Sequence, residues 1–598
     1  LSDASTNLAE SYPPHALRDY ALLADGQRGA LIGPRGDVVW LCVPRWESGA
    51  VFSSLIGGAG GYAVTPAGRY VWGGCYADGS LIWHSRWVTE DGIITCREAL
   101  AYPGEPRRAV LLRQVIAEHH DARVRVLLAP SADYGAHPLH ALAKDEHGVW
   151  TGRLGDLWLR WSGGAHARPR HRADHDDQAV VLELELTVRA GERHDLVLEI
   201  ADHPLAQAPP DPARTWRSTE RAWADGAPHL EHTIAGRDAR QAYAVLRGLT
   251  GDGGGLVAAA TTSLPERAQE GRNYDYRYVW IRDQCYAGQA CAAGDEPLPL
   301  LDDAVRFVTA RLLEDGPKLA PAYTVDGGPI PSQRTLDLPG YPGGFDQIGN
   351  QVGEQFQLDA FGEALLLLAA ADRHGQLDAE GWQAARLAVE AIAARWREPD
   401  AGIWELSPRQ WTHSQLICVA GLRAIGAAGG PRAWADECAA LADTVLADTA
   451  TRCLTPSGRW GRSERDSALD AALLLPPLRG ALAADDPRTV RTLDAYRAAL
   501  TEDHFAYRFR HDERPLAEAE GAFVLCGFVM ALAERQQGHL VAANRWFERN
   551  RAACGPAGLY AEEYDVPQRQ LRGNLPQAFA HALLLEAATR LADPSPPP

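Results

Sequence analysis

The apolar pattern of the chain changes period once, near Arg237, and that change limits the folds open to it. Before it, short alternating runs recur between Gly, Pro and Asp turns, at residues 29–32, 38–43, 70–72, 81–85, 109–115, 124–128, 158–161, 180–186 and 195–200. A period of two marks strands with one buried face, and so many at close spacing imply two packed antiparallel sheets. The Pro-rich piece 203–212 reads as their exit. After Arg237 the period is about 3.6. Twelve stretches carry it: 237–250, 280–293, 298–314, 354–374, 380–396, 412–428, 433–453, 467–478, 488–500, 520–537, 540–553 and 576–591. Most hold Leu, Ala and Val on more than a narrow stripe, as in Ala364-Leu365-Leu366-Leu367-Leu368, so they are buried on more than one side. No sequence repeat supports a solenoid, and a barrel of helical hairpins fits instead. The expected organisation is a β-sandwich over 1–205, a linker over 206–236, a helical barrel over 237–592 and a loose tail over 593–598.

A chain of 598 residues exceeds one ordinary core, which agrees with two domains. A formal charge of −19 argues against a nucleic-acid partner, because phosphate binding needs clustered Lys and Arg. No apolar run has membrane-spanning length, so no membrane partner is expected. The ten Cys lack CxxC or Cys/His spacing, which points to buried free thiols, a reducing compartment and no metal site. The start, Leu1-Ser2-Asp3-Ala4, lacks the build of a secretory signal, so a cytoplasmic location is expected. The run Gly253–Gly255 lacks a following Lys-Ser/Thr and reads as a turn.

Polar and aromatic residues collect before helices, in 273–283, 341–357, 404–413 and 559–577. In a helical barrel such alternate loops open at one end. Two of them carry acids: Gly402-Ile403-Trp404-Glu405, and Glu562-Glu563 in Leu559-Tyr560-Ala561-Glu562-Glu563-Tyr564-Asp565. Glycoside hydrolysis needs two carboxyl groups flanking one bond. Each residue has a plainer reading. Glu405 is either an acid catalyst or a solvated loop carboxylate. Of Glu562 and Glu563, one is a bystander. Arg282-Asp283 is either a ligand pair or a local ion pair at a helix start. His413 is either structural or a pocket residue, and Gln357 and Asp359 either orient pocket groups or satisfy helix ends.

The matches then extend along the chain. Asp19 to Gly26, Trp40 to Arg45, Ala258 to Glu266, Arg272 to Asp283, Gln355 to Glu363, Gly402 to Glu405 with Thr412-His413-Ser414, Glu520 to Phe523 and Glu562 to His581 resemble the glucoamylase and trehalase group of inverting glycosidases, glycoside hydrolase family 15. The resemblance implies an N-terminal antiparallel β-sandwich followed by an (α/α)6 barrel. It implies an exo-acting α-glucoside hydrolase that needs no cofactor and releases glucose from an α-glucan end or an α-linked disaccharide such as trehalose. Residue by residue, Glu405 matches the general acid and Glu562 the general base. Arg282 and Asp283 match the grip on the innermost sugar, with Trp280 and Trp404 as walls. Tyr278, Gln357, Asp359, His413 and Glu563 complete the expected substrate-binding set. An inverting pair stands roughly 6.5–9.5 Å apart. Glu405 is expected to keep its proton through burial beside Trp404 and Trp411, and Glu562 to stay ionised. Two alternatives stand beside this: an inverting phosphorylase, against which Glu562 speaks, and a non-catalytic carbohydrate-binding protein on the same fold. The chain departs from the family at Tyr274, at Phe345-Asp346-Gln347 and at Gln415, which puts outer subsites near the pocket mouth in question.

Overall fold

The structure, a computed structural model, describes residues 12–171, 180–267 and 272–593. The alternating half forms two eight-stranded antiparallel sheets. One runs in the order Ala21–Ala24, Gly29–Ile32, Asp37–Cys42, Gly61–Pro66, Ala122–Ala129, Val180–Val188 and Arg168–His171, with Ala50–Phe52 beside Asp37–Cys42. The other runs His140–Lys144, Trp150–Leu154, Leu157–Ser162, Arg193–Ala201, Arg108–Ala117, Ile93–Leu100, Trp83–Thr89 and Tyr70–Tyr76.

All nine alternating runs are strands. Alternation missed Ala21–Ala24, Ala50–Phe52, Gly61–Pro66, His140–Lys144, Trp150–Leu154 and Arg168–His171, and Ile93–Leu100, where Glu98 points inward. Glu98 accepts from the fully buried Arg113 at 2.6 Å and from Ser85 Oγ at 2.7 Å. Arg113, on the second sheet, also donates to the carbonyl of Tyr62 on the first at 3.0 Å. A charge that ties two sheets together reads in sequence as a surface residue.

The helical half closes on itself. Inner helices Ile281–Cys291, Asp359–Arg373, Thr412–Gly426, Leu475–Leu478, Val524–Gln536 and Ala578–Ala592 each touch the next, and the last touches the first. Outer helices Gly236–Leu249, Leu300–Asp315, Ala379–Arg395, Arg432–Cys453, Pro487–Ala499 and Leu540–Arg551 alternate with them. Position explains composition: Asp359 to Ala371 is buried all round, whereas Pro487–Ala499 buries only Thr489, Thr492, Leu493 and Tyr496. This is the (α/α)6 arrangement.

Three helices differ from their sequence reading. The one expected over 467–478 is a 3-10 turn, Ala471–Leu474, followed by the short Leu475–Leu478, since Pro476 and Pro477 have no N–H to give. The helix expected from Glu520 starts at Val524, because Ala522–Phe523 is extended and pairs with Glu563–Asp565. The one expected from Glu354 starts at Asp359. Within 206–236 a helix, Pro212–Asp225, packs through Trp216 and Trp223. All ten cysteines are unpaired and eight are buried. Among the described residues, no helix is long and apolar enough to cross a membrane.

The two halves meet at the extended segment that precedes helix Ile281–Cys291. Trp40 Nε1 donates to the carbonyl of Ala260 at 2.8 Å. Arg277, fully buried, forks onto Asp275 at 2.9 and 2.7 Å and reaches back to the carbonyls of Ser48, at 3.0 Å, and Trp46, at 3.3 Å. Asp275 in turn accepts from Gly349 N at 3.0 Å. Breaking one side of a buried pair strands the other charge and costs roughly 3–5 kcal/mol. Arg277→Met is therefore expected to lower the free energy of unfolding by that amount and to depress turnover together with it. Arg277→Lys will not restore either, because an ammonium cannot reproduce the fork. Chemical denaturation and steady-state rates on the three proteins check this.

Candidate active site

Glu405 stands on a turn that backbone chemistry holds tightly. Asp400 Oδ1 accepts from Gly402 N and from Ser414 Oγ, both at 2.8 Å, and Leu406 N closes on the carbonyl of Ala401 at 2.9 Å. Gly402 has φ +65°, and a Cβ there would lie 2.7 Å from Trp411 Cδ1, so only glycine fits. Glu405 itself has φ +55°, a conformation that costs a non-glycine residue free energy and persists where the surroundings enforce it.

The enforcing contacts are side-chain ones. Trp280 Nε1 donates to Glu405 Oε1 at 2.7 Å, and Arg282 Nη1 lies 4.0 Å from the same oxygen while donating to the carbonyl of Ile403 at 2.6 Å. Gln357 also bonds the carboxyl. Burial raises the affinity of Glu405 for its proton, opposed by Arg282 and by the bonds from Trp280 and Gln357, with Asp283 adding to the rise. Trp280 is thus the aromatic partner of this acid. Trp411, expected there, packs instead under Gly402 and beneath the guanidinium of Arg462.

Glu562 and Glu563 part company because adjacent residues of an extended segment face opposite ways. Glu563 begins the central strand of a small sheet, Ala522–Phe523, Glu563–Asp565 and Gln570–Arg572. Its carboxyl turns inward, accepting from Gly521 N at 2.9 Å and Arg508 Nη2 at 3.2 Å. Glu562 faces the cavity, where Tyr276 Oη stands 3.2 Å from each of its oxygens. Burial first, and then the neighbouring Glu266 carboxyl, push Glu562 well above the usual carboxylate range, against Arg508 and Tyr276.

One cavity of about 310 Å³ holds both acids. Arg282, Trp404, Glu405 and Glu562 line it, with Glu266, Tyr274, Tyr276, Arg508, Phe523 and Phe579. The remaining sequence candidates lie behind this surface. Trp280 reaches it through its bond to Glu405. Asp283 pairs with Arg282 at 3.1 Å. Asp359 lies in the field of Arg282 and Glu405, and burial holds its carboxyl up at about 6. His413 faces Arg282 with both ring nitrogens unpartnered among the described residues, and burial pulls its pKa down to about 3, so the ring is neutral. Gln357 supports Glu405, as above. Tyr278 is buried with Ala258, Trp280, Ala322 and Val352 and does not line the cavity.

Gln415, expected near the mouth, is buried in the helical wall and donates to the carbonyl of Trp396 at 2.7 Å, so its identity bears on packing and not on the mouth. Gln347 does act near the cavity, accepting from Gln333, a lining residue, at 2.8 Å. Sequence reasoning passed over Tyr276, Arg508 and Glu266. The place of Tyr276, four residues before Trp280 in one extended run, was the available signal. Arg508 carried none.

A closed ring of inner helices whose loops bring an acid from two separate turns to one sugar-sized cavity is the design of a hydrolase that cleaves glycosidic bonds. Comparison narrows the class. Residues 242–589 match the model of glycosyl hydrolases family 15, and residues 11–193 match that of the trehalase-like N-terminal domain. The trehalase of Mycobacterium tuberculosis is 31% identical over 98% of this chain and 91% of its own length. That of Mycolicibacterium smegmatis is 31% identical over 98% and 92%. A bacterial glucoamylase solved with acarbose shares the fold, at TM-score 0.68 and 14% identity over 97% of this chain and 96% of its own. The chain belongs to glycosyl hydrolases family 15 and is a glycoside hydrolase.

The Trp280 bond favours the charged form of Glu405, so Trp280→Phe raises the pKa of that acid. The alkaline fall of kcat/KM is expected to move up by about one pH unit, the worth of one hydrogen bond to a charged group. A pH–rate profile of the variant measures it.

Proposed function

We propose that the protein hydrolyses α-glucosides from their non-reducing end with inversion, and that its substrate is an α,α-linked disaccharide of the trehalose type. The observation that carries the mechanism is the placing of Glu405 and Glu562 on one cavity, each held by a different residue of the same extended run. Glu405, protonated through burial, gives its proton to the glycosidic oxygen as the bond to the anomeric carbon breaks. Glu562, whose carboxyl the structure raises above the usual range rather than holding it ionised as expected, takes a proton from the water that attacks the opposite face once it has ionised. Arg282, anchored by Asp283 and the carbonyl of Ile403, offers donors to hydroxyls of the sugar that is attacked.

The substrate reading is supported by size, lining and kinship. A cavity of about 310 Å³ is small for a ligand site. Its rim adds Arg272, Gln333, Gln351, Gln355, Arg508 and His511, hydrogen-bonding groups suited to a second sugar. The two relatives matched over 98% of this chain are trehalases. Ten unpaired cysteines suit a reducing compartment.

Glucose release from trehalose, maltose, isomaltose, kojibiose, nigerose and soluble starch is the deciding screen, with trehalose expected to be fastest. In trehalose only the attacked sugar inverts, so proton NMR at early times is expected to show equal α- and β-glucose. Two α-anomers would mean retention and remove Glu562 from the role of base. Glu405→Gln and Glu562→Gln are each expected to stay folded and lose about 10²- to 10⁴-fold in kcat.

A further inference from the structure

Two of the carboxyl groups at this site are not independent. The segment that carries Glu266 runs against the loop that follows Glu562. Gly573 N donates to the carbonyl of Pro265 at 2.9 Å and Leu575 N to Thr261 Oγ1 at 3.0 Å. Gly573, at φ +83°, fills the angle between the two acids: a Cβ there would stand 3.2 Å from Glu562 Cβ and 3.6 Å from Glu266 Cγ. Glu266 is 4% exposed, lines the cavity and shares a hydrogen bond with Glu562.

A buried carboxyl set against another carboxyl is costly to charge, so Glu562 keeps a proton that a lone base would lose. Arg508 lies 3.4 Å from Glu266 Oε2 and also grips Glu563, at 3.2 Å, and Glu520. Arg272, at 3.5 Å, and His511, at 3.1 Å, face Glu520. On the Glu562 side stand Tyr276, in contact, with Tyr274 and Glu405 beyond. Arg508 thus pairs with Glu266, while burial and that neighbouring carboxyl hold Glu562 well above the usual carboxylate range.

Building on the assignment of Glu562 as base, we propose that Glu266 is a positioning residue for it: the carboxylate that receives the hydrogen bond of Glu562, holds the proton of the pair there and sets the pH at which the base is released. On release that proton passes to solvent. Ionised Glu562 then takes a proton from water as its oxygen bonds the anomeric carbon, the glycosidic bond breaks and the leaving oxygen takes the proton of Glu405. Glu562 afterwards returns its proton to solvent and Glu405 is reprotonated.

Glu266→Gln keeps the shape and removes the charge. The acidic limb of kcat/KM, measured with the best substrate of the screen, is expected to move to lower pH by about one unit or more. Glu266→Asp, which draws the charge back by one methylene, is expected to move it part of the way. A variant that merely loosens the fold lowers rates across the profile and leaves the limb in place. An unmoved or raised limb in Glu266→Gln overturns the inference, and if that protein is too slow to profile, Glu266→Asp decides by the same criterion. Glu562→Gln separates the two claims: wild-type rates there remove the base assignment, whereas a dead Glu562→Gln with an unmoved limb in Glu266→Gln removes only the role of Glu266.

Discussion

The fork of Arg277 on Asp275 is the contact on which the site rests. It is fully buried, it belongs to the run that carries Tyr276 and Trp280, and its Nη1 donates to carbonyls of the β-domain at Ser48 and Trp46. A buried ion pair adds little net stability compared with a well-packed apolar pair, but it tolerates few geometries. Here that intolerance is useful. The same run pairs with Ala322–Tyr323 and then enters helix Ile281–Cys291, so the barrel and the sandwich agree on where Tyr276, Trp280 and Arg282 stand. The β-domain thus acts as the back wall that registers the catalytic run.

Much of this architecture was legible in the sequence because burial writes itself as period. Inner helices such as Asp359–Arg373 read as apolar on every side, and strands such as Arg193–Ala201 as alternation. Illegible were the charges that point inward. Glu98 hid a strand, and Glu520, Glu563 and Arg508 hid the small sheet that orients Glu562. A pattern of apolar residues has no symbol for a buried salt bridge. The site followed the same rule. Glu405 and Arg282 stood out beside Trp and Gly in their own loops, whereas Arg508 and Glu266, far apart in sequence, come to Glu562 only through folding.

The electrostatics of the cavity are asymmetric. Glu405 is crowded by donors, Trp280, Gln357 and Arg282, each of which weakens the effect of its burial. Glu562 has Tyr276 on one side and another carboxyl on the other, with the guanidinium turned toward the partner acids. Two glutamates of one intrinsic acidity are thereby tuned by different means: the first by desolvation against hydrogen bonds, the second by desolvation reinforced by repulsion from a neighbouring carboxyl.

Tyr276 and Trp280, whose rings meet edge to face at 5.4 Å, touch the two acids from positions four residues apart in one stretch of backbone. The spacing of the two carboxyls is consequently tied to one piece of backbone as well as to the two separate turns that carry them.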